Sequence, residues 1–287
     1  FVFQQFFLAE HQSILDNATS TINNYGNVSK TGGTGTTVIA PEFNSQPLAG
    51  GPAPTVVVGT GTLRINGDGV QTGALFTAAA SAALQYGGSS TQTVNAGTTY
   101  GGAGTLDIFT ATVDVAAGVT LTVGCNLQLD DTATLQGPGS LTSYALFTWA
   151  GGTIDALSLT VNGQMQLTGV NKSLTTTTLY VYGNTTWDTG DVTMNLSTIT
   201  NYGTFAATGD QRIIDGISGG NKFMNAEAGA AKGVFTKTGG AGTTEIDVFF
   251  RNAGGDLKLN GRNINLAGGA EQTSADNARA GSQYWLF

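Results

Sequence analysis

The sequence predicts an all-β chain wound as a parallel β-solenoid, and three observations carry that expectation. Apolar residues alternate with polar or small ones at a period of two along most of the chain. Gly, Asn and Asp stand between the alternating sets, where turns need positive φ or side-chain-to-backbone bonds. Short stretches also recur: Ser20-Thr21-Ile22-Asn23-Asn24-Tyr25-Gly26 matches Ser197-Thr198-Ile199-Thr200-Asn201-Tyr202-Gly203, and Lys30-Thr31-Gly32-Gly33-Thr34-Gly35-Thr36-Thr37 matches Lys237-Thr238-Gly239-Gly240-Ala241-Gly242-Thr243-Thr244.

The alternation can be followed from Thr55 onward. Val56 and Val58, Leu63 and Ile65, Val113 and Val115, then Leu121 and Val123 each form one face of a short strand. The pattern continues through Leu157, Leu159 and Val161 to Val192, Met194 and Leu196. Beyond Thr55 only the Ala-rich run at 78–83 invites a helical reading.

The repeats decide between sandwich, barrel and solenoid. The second matched piece is offset further than the first, so the early copy lacks about one repeat element. Asn201, Asn225 and Asn252 follow Ile199, Phe223 and Phe250 at spacings that suit one coil per repeat. In such a stack like residues lie on like, and asparagines can form a hydrogen-bonded ladder. A longer likeness joins Ile264–Thr273 to Leu63–Thr72 and suggests a cycle of roughly 200 residues.

The chain divides into four stretches. Residues 1–19 are an apolar cap or docking segment, either a short helix or a strand pair on an open end. Residues 20–44 are a partial solenoid repeat. Residues 45–54 hold three of the five prolines and read as a linker loop. Residues 55–287 are the main solenoid.

Composition excludes several functions. Charged residues make up 10% of the 287, with a net charge of −8. Nucleic acids and anionic membranes both select a basic footprint, so neither is an expected partner. No apolar run approaches the roughly 18 residues of a membrane helix. Cys125 stands alone, in an apolar alternation that reads as core, and no disulfide can form within the chain.

Short motifs carry a family resemblance. Leu135-Gln136-Gly137-Pro138-Gly139-Ser140-Leu141, Leu146-Phe147-Thr148-Trp149-Ala150-Gly151-Gly152-Thr153-Ile154 and Asn201-Tyr202-Gly203-Thr204-Phe205 resemble repeats of filamentous-haemagglutinin-like and autotransporter-passenger-like bacterial surface proteins. The resemblance covers most of 55–270 and implies a right-handed parallel β-helix in an exported, surface-attached or fibrous protein. It brings no catalytic residues with it.

Parallel β-helices also host polysaccharide hydrolases and lyases, which work through clustered carboxylates. Asp130-Asp131 is the one acidic pair, in a turn after a strand; Asp188 and Asp191 stand beside Trp187. Each reads more simply as a solvated or turn-closing residue, and His11 is the only histidine. No zinc set, calcium loop, phosphate loop or dinucleotide fingerprint is present in the sequence. The expectation is a non-enzyme with no catalytic, metal or cofactor residues. Thr110-x-Thr112, Thr120-x-Thr122 and Thr175–Thr178 read as outward strand formers that do not recur once per coil at fixed phase. Five sequons, at Asn17, Asn27, Asn171, Asn184 and Asn195, are what an Asn- and Thr-rich chain yields by chance.

The functional expectation is a structural component of an extracellular fibre or cell-surface appendage. Apolar residues at both ends (Phe1, Phe3, Phe6, Phe7, Leu8 and Tyr284, Trp285, Leu286, Phe287) would be covered head to tail by neighbouring copies. The alternatives are an adhesin passenger segment of a longer protein and a carbohydrate-binding or depolymerising β-helix, with surface glycans as possible partners.

Overall fold

The computed structural model describes residues 2–8, 13–15, 20–217, 219–229 and 231–273, with side chains from residue 7 onward. These residues form a parallel β-solenoid of about 12 turns. They divide into two units, Phe1–Leu146 and Phe147–Phe287, at a point that no composition shift marks.

Unit 1 has three strands per coil, each stacked in parallel on its counterparts. One row runs Ser13–Ile14, Thr36–Ile39, Thr62–Ile65, Ala83–Tyr86, Thr105–Ile108 and Asn126–Leu129. Within it Leu63 lies on Leu84, Leu84 on Leu106, and Leu106 on Leu127, so the coils are nearly but not quite equal in length. The second and fourth residues of these strands point inward, as period two requires. Leu63, Leu84, Leu106 and Leu127 are thereby removed from water, each worth roughly 1.5–3 kcal/mol on complete burial.

Residues 20–44 belong to this same stack. Strand Thr21–Lys30 pairs through its first half with Glu42–Ser45 and through its second with Thr55–Val58. Residues 46–54 form a strandless excursion at a corner, with 48–53 exposed. The helical reading of the N-terminal segment is corrected where the chain is described: Val2–Leu8 is a strand, parallel to Thr21–Lys30. A stacked strand supplies a ready row of backbone donors and acceptors, and this outweighs the helical spacing of the phenylalanines. The Ala-rich run is likewise no helix, since Ala78 ends one strand, Ala83 opens the next and 79–82 turn between them.

Unit 2 is more regular. Gly152–Asp155, Lys172–Thr175 and Val192–Asn195 stack at one constant interval, as do Ser158–Val161, Thr178–Val181 and Thr198–Asn201. Its corners explain the spacing. A Cβ on Gly183 would lie 1.7 Å from the carbonyl oxygen of Gly163, and one on Gly203 would lie 2.1 Å from that of Gly183, so only glycine permits the corners to stack. At another corner Ala156, Thr176 and Leu196, set at that same interval, hold φ of 53°, 47° and 51°. A side-chain ladder fixes these left-handed residues. The N–H of Leu157 donates to Thr177 Oγ1 (3.5 Å), that of Thr177 to Ser197 Oγ (3.1 Å), and that of Ser197 to Asn221 Oδ1 (2.8 Å).

One coil is longer. Thr204 stacks on Val234, and the winding between them includes the antiparallel hairpin of Lys222–Ala228 and Ala231–Lys232. Its core is aromatic. Phe205 stacks on Phe235 and Phe223 on Phe250, both with centroids 5.5 Å apart, and the two columns meet edge to face.

The Thr expectation also needs correcting. Thr120 lies on Ser140 and Thr122 on Thr142 in unit 1; Ser158, Thr178 and Thr198 stack in unit 2. Hydroxyl residues do recur coil by coil on these outward faces. The varying coil length hides their phase in the sequence.

Candidate functional site

Two stacked polar columns stand out, and they differ in chemistry. The first is the asparagine ladder of unit 2. Asn201, Asn225, Asn252 and Gln272 are in register in successive strands. Asn201 Nδ2 donates to Asn225 Oδ1 (2.9 Å), Asn225 Nδ2 to Asn252 Oδ1 (2.8 Å), and Asn252 Nδ2 to Gln272 Oε1 (2.7 Å). The amide carries both donor and acceptor, so each residue satisfies the next. The remaining hydrogens reach backbone: Asn201 to Val234 O and Asn225 to Asp256 O. The Asn24 corner of unit 1 repeats the pattern, donating to Ser45 Oγ and Thr55 O and accepting from the N–H of Gly26. The expected ladder is present.

The second column faces outward from unit 1. Arg64, Gln85, Asp107 and Gln128 occupy one register position in four successive coils. Arg64 Nε donates to Gln85 Oε1, and its guanidinium lies 5.1 Å from the centre of the Phe109 ring. Gln85 Nε2 donates to Asp107 Oδ2 at 2.5 Å, and Gln128 Nε2 donates to Asp130 Oδ1 at 2.8 Å. The neighbouring side chains cover Asp107, which is 9% exposed, and its Oδ1 is buried without a hydrogen-bond partner. Burial raises the Asp107 carboxyl to about 6; Asp130 adds to the rise, while Gln85 and Arg64 oppose it.

Asp107 escapes notice in the sequence. It is an isolated carboxylate in Thr105–Ile108, and its partners Arg64, Gln85, Gln128 and Asp130 all come from other coils, far from it along the chain. Once coil length is known, the column can be read directly.

The residues singled out in sequence are dispersed. Asp130 accepts from Gln128, and Asp131 is exposed beside it. Asp188 accepts from Thr208 Oγ1 (2.8 Å), and Asp191 from the N–H of Arg212 (2.8 Å), so both close turns between coils. Trp187 is buried and donates from Nε1 to Gly190 O at 2.8 Å, which leaves no ring face for a ligand. Cys125 is a buried free thiol, pushed up by burial. Near it Tyr86 and Tyr100 share a buried hydroxyl–hydroxyl bond of 2.9 Å, and burial raises both phenols. His11, Phe1 and Tyr284–Phe287 lie outside the described residues, and so do the side chains of Phe3 and Phe6. Phe7 is 59% exposed and Leu8 is buried. Among the described residues, no three His, Cys, Asp or Glu side chains converge as metal ligands would.

Buried lysines form a further group. Lys30 donates to Gly32 O and Gly33 O, Lys172 to Val170 O and Thr189 O, and Lys237 to Gly209 O, Asp210 Oδ1 and Thr244 Oγ1. Each ammonium caps turn carbonyls left over where the chain changes direction. Burial lowers Lys172 to about 8, against the opposing pull of Asp191. The bond from Lys237 holds Asp210 below the ordinary carboxylate range.

No family model, curated protein or solved structure matches this chain. The fold class therefore rests on the stacked parallel strands: a β-solenoid repeat protein whose polar columns are built from the stacking itself.

Proposed function

We propose that this chain is a rigid, non-catalytic structural segment of an extracellular fibre or cell-surface protein. The observation that carries the reading is the in-register stacking of like residues within each unit. Every coil offers the next the same backbone edge and the same inward positions, a geometry that extends length rather than enclosing a substrate. The dispersal of the candidate carboxylates, with Asp188 and Asp191 closing turns between coils, supports the same reading. The resemblance to filamentous-haemagglutinin-like and autotransporter-passenger-like repeats favours an exported protein.

Head-to-tail addition of copies belongs to this proposal. Val2–Leu8 stacks in parallel on Thr21–Lys30, and a stacked strand of this kind carries a backbone edge with which a further coil can pair. Negative-stain electron microscopy of native material, with intact mass on the same sample, tests the reading. Filaments built from subunits of this chain's own mass are the expected result. Isolated rods of much larger mass would replace the polymer with an adhesin passenger segment. Compact particles with glycan-cleaving activity that is lost on replacing Asp130, Asp131, Asp188 and Asp191 would overturn it in favour of a depolymerising β-helix.

A further inference from the structure

The outward column of unit 1 has a gap at a definite place. Arg64 and Gln85 both donate in the same direction along the stack, toward Asp107. Gln128 then donates one of its two amide hydrogens onward to Asp130, and its oxygen can accept. Between the two halves stands Asp107 Oδ1, buried and without a partner. Gln128 is its register neighbour in the next coil, one strand spacing away, about 4.8 Å. An ionised carboxylate can only accept, so it cannot join Gln128 through that side chain's acceptor oxygen. A protonated one can.

We propose that Asp107 is the proton-carrying link of an acid-tightened ladder, donating from Oδ1–H to Gln128 Oε1. This joins Arg64–Gln85 to Gln128–Asp130 in one directional chain across four coils. The groups that face Asp107 fit that role. Strand Ala83–Tyr86 presents neutral Gln85, and strand Asn126–Leu129 presents neutral Gln128. Arg64 from Thr62–Ile65 is the only cation in the column, and Asp130 beyond Asn126–Leu129 the nearest further carboxylate. Burial, with Asp130 adding to it and Gln85 and Arg64 opposing, raises the carboxyl to about 6, the direction the ladder needs.

The sign of the effect follows. Asp107 holds its proton in the folded chain to higher pH than an unfolded aspartate, near 3.9. The ladder's contribution is therefore complete below about pH 4 and is lost as pH rises through about 6. Across that window the local folding equilibrium should fall on the order of a hundredfold. The segment would be tightest in mildly acidic surroundings and would loosen toward neutrality. This inference does not depend on the proposed surface role.

Carbon NMR of the full chain labelled at aspartate carboxyls, titrated from pH 4 to 8, reads the proton directly. Amide exchange in 105–108 and 126–129, corrected for intrinsic rates, reads the ladder. One carboxyl should titrate near 6 and vanish in Asp107→Asn, and both strands should exchange more slowly in acid. A titration retained in Asp107→Asn, or every aspartate titrating in the ordinary range, would overturn the proposal. So would calcium alone at pH 7 giving the acid-like protection, because a cation would then occupy the place given to the proton. If Asp107→Asn does not fold, Arg64→Gln serves instead. Loss of the cation must move the midpoint upward, and an unmoved midpoint rejects the ladder.

Discussion

The asparagine ladder of unit 2 and the Arg64–Asp130 column of unit 1 obey the same geometric rule with different chemistry. An amide is self-complementary and can repeat coil after coil; Asn201, Asn225 and Asn252 do so in the buried interior. A carboxylate offers only acceptors, so the outer column must interleave glutamines or take up a proton. The inner ladder is accordingly indifferent to pH and the outer one is not. Stacking like on like confers rigidity cheaply only where the side chain can be both partners.

Breaking the inner ladder should have the largest effect. Asn225→Ala removes three side-chain bonds, the one accepted from Asn201 and those donated to Asn252 Oδ1 and Asp256 O, and takes from the buried Asn252 Oδ1 its donor. A loss of about 3 kcal/mol is expected, read as a lower urea midpoint with near-constant slope. Next is the charged solution to the same satisfaction problem, Lys172. Its amine sits near 8, below the roughly 10.4 of an unfolded lysine. The folded chain thus binds fewer protons between those values, and stability should rise from pH 8 to pH 10 by on the order of 2 kcal/mol. Lys172→Met should flatten the rise. The raised thiol of Cys125 and the raised phenols of Tyr86 and Tyr100 oppose the rise as pH increases, so the Lys172 contribution is read as the difference between the wild-type and Lys172→Met profiles.

Gln85→Leu sharpens the comparison on the outer column. It removes the donor to Asp107 Oδ2 and should cost about 1–2 kcal/mol at neutral pH. Because that bond lowers the carboxyl, the Asp107 midpoint should move up in the same variant, whereas no aspartate midpoint should respond to Asn225→Ala. The smallest expected effect is a gain. Thr176 holds φ of 47°, a poor conformation for a β-branched residue, and Thr176→Asn should stabilise by about 0.5–1 kcal/mol in thermal unfolding.

The strands and the asparagine ladder were legible because both follow from local alternation and from residues recurring near one coil apart. The outer column, the Thr and Ser columns and the stacked corners were not. Coil length is not constant: Met165 lies on Thr185 in unit 2, Leu84 on Leu106 in unit 1, and Thr204 on Val234 across the hairpin, each step longer than the one before. Alternation tells which residues of one strand face inward. It does not tell which residue of the next coil each will meet, since corner lengths decide that. The N-terminal phenylalanines show a related limit. Their spacing fits a helix, but a waiting strand edge decided their conformation.

The long coil gives the early sequence comparison a mechanical meaning. Lys30 follows closely on Gly26, whereas Lys237 stands far beyond Gly203. The difference is one complete winding, since Thr204 lies directly on Val234. A screw thread lengthened by a full winding meets its continuation at the same angle and depth. Insertions of that size leave both flanks undisturbed, and so does extra length confined to a corner, as in the hairpin of the long coil. Residue count can thus vary at the corners, while the thread itself advances by whole windings.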